Sequence, residues 1–194
     1  CVTRSFCHDI RDKEGIRSNS IYSLLVDNRG ALWVGHFQAG LDYSLYQNGL
    51  FSTYSFPPLF NSTNLSVRSF LNRGKEKVIG SRDGLFYINE STGTVKSFVR
   101  PVLTSDLILT ISFYEGEYYI GTYGGGMMVL NPETLSLKYF AQGGDGDAEL
   151  FQKGHIFCVR PDEKGNLWIG TSQGLFCYNL EKGELQNYTL QNFS

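Results

Sequence analysis

Four short segments of this chain repeat one another: Leu32-Trp33-Val34-Gly35, Lys77-Val78-Ile79-Gly80, Tyr118-Tyr119-Ile120-Gly121 and Leu167-Trp168-Ile169-Gly170. Their glycines stand 45, 41 and 49 residues apart. Such a period restricts a chain to an array of one supersecondary unit, each unit too small to bury its apolar surface alone. The match extends both ways. Before each segment runs an apolar stretch and a turn: Ile21 to Val26 then Asp27-Asn28-Arg29-Gly30, Val67 to Leu71 then Asn72-Arg73-Gly74, Leu107 to Phe113 then Tyr114-Glu115-Gly116, and Ile156 to Val159 then the turn 161–166. After it come a loop ending in Gly40, Gly84, Gly126 or Gly174, a third strand, a second turn, and a fourth strand at Phe51 to Phe56, Val95 to Val99, Leu135 to Phe140 and Leu185 to Leu190. Each unit reads strand, turn, strand, loop, strand, turn, strand, which is an antiparallel four-stranded meander.

Composition agrees: 22 Gly and 14% aromatic residues suit a chain of strands and tight turns. Ile21 to Val26 and Leu32 to Val34 are apolar at successive positions, so both faces of these strands are expected to be buried. Blades stacked around an axis achieve this. A β-sandwich has the turns but not a shared sequence every 45 residues or so. The chain is therefore predicted to be all-β, a β-propeller of about four four-stranded antiparallel blades plus one leading strand, and a fragment of a larger propeller. Residues 1–18 are expected to hold the last strand of a preceding blade (Val2 to Ile10) and a loop. The blades are expected at 19–60, 61–103, 104–153 (with a long loop, Ala141 to Lys153) and 154–194.

Several function classes are excluded. A net charge of −2 without a basic stripe disfavours nucleic acid and anionic membranes. No apolar run of about 18 residues occurs, so no direct membrane contact is expected, and residues 1–20 do not read as a signal peptide. His8, His36 and His155 fall in different units and no nucleophile–base set can be assembled, so no catalytic residue is assigned. No cofactor and no metal are expected. The stretch Gly121-Thr122-Tyr123-Gly124-Gly125-Gly126 lies between strands without a following helix and reads as a strand turn, not a phosphate cradle. Asp145, Asp147 and Glu149 offer too few oxygens for Ca²⁺. Cys158 and Cys177 fall on the first and third strands of one unit, roughly 9.5 Å apart, beyond the ~7 Å that a disulfide spans. Trp33 and Trp168 share one repeat position and read as packing between blades.

The loops between second and third strands differ from unit to unit while the flanking strands repeat. They contain His36 and Phe37, Arg82, Tyr123, and Gln173. On one face of a propeller these residues could stack on and hydrogen-bond to a sugar. Drift in exposed loops is the other reading, and both stand open at this level.

The repeats resemble the regulator-propeller repeat of bacterial two-component sensors, whose pattern runs roughly I-x-x-I-x-x-D-x-x-G-x-L-W-I-G-T-x-x-G-L. Ile156 to Leu175 matches best, with Asp162, Gly165, Leu167, Trp168, Ile169, Gly170, Thr171, Gly174 and Leu175 in place. Ile21 to Leu41 follows, with Asp27, Gly30, Trp33, Gly35, Gly40 and Leu41. The third unit has Tyr119 for Trp; the second has Val78 and lacks the turn Asp. The resemblance implies the periplasmic sensor part of a Bacteroides-type hybrid histidine kinase, with the kinase outside this chain. It further implies oligosaccharide ligands and control of polysaccharide-utilisation genes. Self-association through open blade edges, with a dimer expected, or closure on itself as a four-bladed propeller, and a scaffold role without a small ligand form the alternative. A propeller lyase or hydrolase would need clustered acid–base residues, which the sequence does not offer.

Overall fold

The computed structural model describes residues 5–45, 50–54, 65–140 and 148–188. It divides into two compact units, Cys1–Ser97 and Phe98–Ser194. In the first, β1 (Ile21–Val26), β2 (Ala31–His36), β3 (Leu41–Leu45) and β4 (Ser52–Thr53) form one antiparallel sheet in that order. β5 (Val67–Arg73), β6 (Glu76–Ser81), β7 (Leu85–Asn89) and β8 (Thr94–Phe98) form the next. In the second unit, β9 (Ile108–Tyr114), β10 (Glu117–Thr122), β11 (Met127–Leu130) and β12 (Leu137–Tyr139) make a third sheet. After the helix α1 (Ala148–Lys153), β13 (Ile156–Pro161), β14 (Asn166–Thr171), β15 (Gly174–Asn179) and β16 (Glu184–Tyr188) make a fourth. Each repeat is thus one meander, the blade of an all-β propeller fold; we number the blades 1 to 4.

At Gly35 and Gly121 the repeated glycine is where blades meet. It faces Ser23 from Gly35, Ser69 from Gly80, Thr110 from Gly121 and Cys158 from Gly170, and next to each of these pairs the register shifts by one residue. The shift is a bulge, which bends the first strand. A β-carbon at Gly35 would lie 2.8 Å from the Val67 carbonyl oxygen of blade 2. At Gly121 it would lie 2.9 Å from the Ile156 carbonyl oxygen of blade 4. No side chain fits at either point, so in each unit the first strand of one blade lies directly on the second strand of the blade before it. Trp33 then packs on Phe70 of the next blade, ring centroids 4.9 Å apart.

The turn aspartate explains the Asp-to-Trp spacing. Asp27 accepts from the Arg29 and Ala31 amides, at 2.9 Å each, and from Trp33 Nε1 at 2.9 Å. Asp162 repeats the pattern with the Lys164 and Asn166 amides and Trp168 Nε1 at 3.0 Å. One carboxylate closes the hairpin and fixes the indole. Burial pushes the Asp27 carboxyl up, but these bonds and one from Asn72 outweigh it and hold it below the ordinary value. The Asn166 side chain and amide, with Trp168 and Lys164, hold Asp162 further down still. Blades 2 and 3 lack both partners and turn more tightly; Glu115 and Gly116 both take positive φ, at 45° and 84°.

Three expectations need correction. The leading strand over Val2 to Ile10 is absent from residues 5–10, which pair with no sheet; residues 2–4 lie outside the described set. Ile21–Val26 is not buried on both faces: Ile21 is 43% and Leu24 65% exposed. Their register equivalents Val67 and Phe70 are 0% and 8% exposed, because those lie on the blade before them. The long loop before blade 4 contains α1, whose Leu150 and Phe151 enter the unit 2 core with Phe140 and Phe176. Asp145 and Asp147 lie outside the described residues. Cys158 and Cys177 sit on β13 and β15 with β14 between them, opposite Gly170 and Trp168 respectively.

Candidate ligand face

The loop between second and third strands is built the same way in three blades. A hydroxyl at the end of the second strand spans it. Ser81 Oγ donates to the Gly84 carbonyl (3.1 Å), Thr122 Oγ1 to that of Gly126 (2.9 Å) and Thr171 Oγ1 to that of Gly174 (3.0 Å). The same hydroxyls accept the amides of Asp83, Gly125 and Gln173. The glycine-rich stretch 121–126 is therefore a loop closed on itself. Gly126 is required there because a β-carbon would lie 1.9 Å from the Phe151 carbonyl oxygen of α1.

His36 occupies this hydroxyl position in blade 1. It is the last residue of β2, fully buried, with Nε2 2.9 Å from Asp42 Oδ2. The Arg17 amide and Thr53 Oγ1 also donate to Asp42. His36 thus holds the loop from inside and faces no ligand, which corrects its selection as a loop contact.

The next residue points outward in every blade: Phe37, Arg82, Tyr123 and Ser172 are exposed. Its amide is anchored to the residue just ahead of the first strand. Phe37 donates to the Ser20 carbonyl, Arg82 to Ser66, Tyr123 to Leu107 and Ser172 to His155. This brings it beside the second position of the first strand, occupied by Tyr22, Arg68, Leu109 and Phe157.

Two clusters result, one in each unit. In unit 1, the Tyr22 and Phe37 rings lie 5.4 Å apart, and the Arg68 guanidinium stands 4.7 Å from the Tyr22 centroid. Arg68 Nε is buried without a hydrogen-bond partner. In unit 2, Tyr123 lies over His155 at 4.0 Å with 30° between the rings, and His155 faces Phe157 at 6.4 Å and 20°. Tyr123 and Phe157 are half exposed, and His155 Nδ1 is buried without a partner. Exposed ring faces beside hydrogen-bonding groups suit a ligand that is apolar on one side and polar at its rim. Of the residues selected from sequence, Phe37 and Tyr123 enter these clusters, Arg82 sits at the matching place in blade 2, and Gln173 takes no part in the unit 2 ring stack. Tyr22, Arg68, His155 and Phe157 were missed. Their signal lies in strand register: Tyr22, Arg68 and Phe157 are the residues that the register skips at the bulge, and His155 immediately precedes β13.

Among the described residues no group of three or more His, Cys, Asp or Glu is placed to hold a metal ion, and no helix is long and apolar enough to cross a membrane.

Comparison with known proteins adds the wider frame. The family described as two component regulator propeller matches at residues 15–38 and 151–173, in blades 1 and 4. A search of the curated proteins finds no match. Among solved structures, the extracellular domain of a protein described as a one component system from B. thetaiotaomicron superposes at TM-score 0.69 with 26% identity, over 88% of this chain and 22% of that one. The extracellular domain of a protein described as a hybrid two component system, from the same organism, gives TM-score 0.70 and 24% identity over 92% of this chain and 25% of that one. PorZ, a surface component of the type-IX secretion system of Porphyromonas gingivalis, gives TM-score 0.67 and 14% identity over 98% and 30%. The chain spans between 22% and 30% of the length of these structures.

Proposed function

We propose that this chain, two segments of which match the two component regulator propeller family, is a ligand-recognising propeller segment of an extracellular, periplasmic sensor. The ligand class is the oligosaccharide. Recognition takes place at the outward loop residues, and the signal passes to a histidine kinase outside this chain that controls polysaccharide-utilisation genes. The segment itself is not an enzyme. The observation that carries this reading is the recurrence of exposed ring clusters at one repeat position in both units. A packing role would bury those rings; Tyr123 and Phe157 stay half exposed. Their faces can meet the C–H face of a pyranose while loop amides and hydroxyls serve its rim.

Titration of the chain with a panel of neutral and acidic oligosaccharides, followed by calorimetry, tests this. Saturable heat with at least one glycan class, weakened in Phe37→Ala or in Tyr123→Ala with the melting temperature unchanged, is the expected result. No heat from any class overturns the reading.

The exposed face of β1 favours a second role, self-association. Ile21 and Leu24 are open to solvent at positions that blade 2 buries against its neighbour. Light scattering is expected to give a dimer; a monomer at every concentration removes this role.

A further inference from the structure

We infer that the unit 1 cluster binds an anionic saccharide, through a carboxylate or sulfate group held by Arg68 and Arg82. This rests on the oligosaccharide reading and narrows it.

The register of β5 and β6 pairs Val67 with Ser81; Arg68 is the residue skipped at the bulge next to that pair, and Arg82 is the first residue after β6. The corresponding residues of blade 1 are Tyr22 and Phe37, beyond the pair Ile21 and His36, and their rings touch at 5.4 Å. Blade 2 therefore puts two arginines at the positions where blade 1 puts two aromatic residues. Neither guanidinium has an ion-pair or hydrogen-bond partner among the described residues, whereas Arg11, Arg73 and Arg100 are paired with Asp9, Glu76 and Asp106. Asp83, the carboxylate next in sequence, is exposed and makes no ion pair there.

Two arginines at these matched positions repel one another, and Arg68 Nε makes no hydrogen bond inside the protein to fix its charge. An oxyanion on the terminal guanidinium nitrogens would offset that repulsion, because a guanidinium fork matches a carboxylate or a sulfate in shape and charge. Tyr22 already engages the Arg68 cation through its ring face and orients it. Phe37 leaves an exposed ring beside it for the sugar itself. The unit 2 cluster of Tyr123, His155 and Phe157 contains no lysine or arginine and offers no such pair.

The experiment compares three ligands of equal length by calorimetry on the 194-residue chain: an oligogalacturonide, a sulfated galactose oligomer and the neutral galactose oligomer. At least one acidic ligand is expected to bind about tenfold tighter than the neutral one, and to weaken as salt rises. Which of the two wins distinguishes carboxylate from sulfate. Arg82→Gln, an exposed change, and Arg68→Gln are each expected to bring the acidic ligand to the neutral level and to flatten its salt dependence. Equal binding of all three ligands, or acidic binding unchanged in both variants, overturns the anion assignment and leaves the sensor reading in place. Silence from every glycan overturns both.

Discussion

In one unit a β-carbon at Gly35 would meet the Val67 carbonyl; in the other one at Gly121 would meet the Ile156 carbonyl, at distances that differ by a tenth of an ångström. Two residues further along, the units part company. Phe37 stands with Tyr22 and Arg68, Tyr123 with His155 and Phe157. The backbone is copied where it touches the adjacent blade, and the chemistry changes where it touches water. A repeat array separates these duties within three residues: glycine sets the spacing, a hydroxyl or His36 closes the loop, and the next side chain is released to specify a ligand.

The strongest challenge to that division is a side chain at the copied glycine. Gly35→Val and Gly121→Val are each expected to cost about 3 kcal/mol, since a backbone carbonyl cannot move aside as a side-chain tip can. Urea unfolding measures it, with Gly93→Ala as the control: Gly93 has open space around it and its positive φ alone should cost about 1 kcal/mol. Equal losses at the two kinds of site would erase the distinction.

Next comes the turn carboxylate, present in one blade of each unit. Asp27→Ala is expected to cost about 2 kcal/mol, the scale for hydrogen bonds to a charged group. Its pH dependence follows from the lowered carboxyl values. The folded state binds the proton more weakly than the unfolded one, so the stabilisation is full above the ordinary Asp value of 3.8 and drains away as pH falls through the lower folded-state values. Melting temperatures between pH 7 and pH 2 should fall more steeply below pH ~4 for the native chain than for the Asp27→Asn, Asp162→Asn double variant. Parallel curves would remove the carboxylates from the stability argument.

A narrower test is Tyr119, whose phenol burial pushes up to about 12. Its ionisation, followed by ultraviolet absorbance, should come well above the ordinary tyrosine value of 10.0, and stability should drop as pH rises above that unfolded value. The smallest expected effect is at the released position itself. Phe37→Ser should change stability by less than about 0.5 kcal/mol. A larger loss would mean that the ring is a packing residue and would weaken its part in recognition.

The strands and turns of all four blades could be read from the chain because the glycine, the turn residues and the apolar stretches recur in step. Trp33 was legible as a packing residue between blades for the same reason, whereas Trp168 packs on Tyr188 of its own blade. His36 was not, because a histidine in a loop-like context suggests a polar contact, and only alignment with Ser81, Thr122 and Thr171 reveals a loop-closing position. The ring partners were hidden by sequence distance: His155 lies 32 residues after Tyr123, and a bulge decides which face each residue takes. Val2 to Ile10 had a strand's composition but no sheet pairs with residues 5–10, and composition alone does not supply a partner.

The helix before blade 4 has a consequence for how such arrays change length. The glycine spacing stretches to 49 residues there, yet Gly121 and Gly170 keep their places opposite Thr110 and Cys158. The surplus is accommodated because Leu150 and Phe151 bring their own anchors into the interior and Gly126 makes room for the Phe151 carbonyl. An insertion that supplies its own apolar ballast can lodge in a connecting loop without disturbing the period, which leaves those connections free to lengthen while the sheets stay in register.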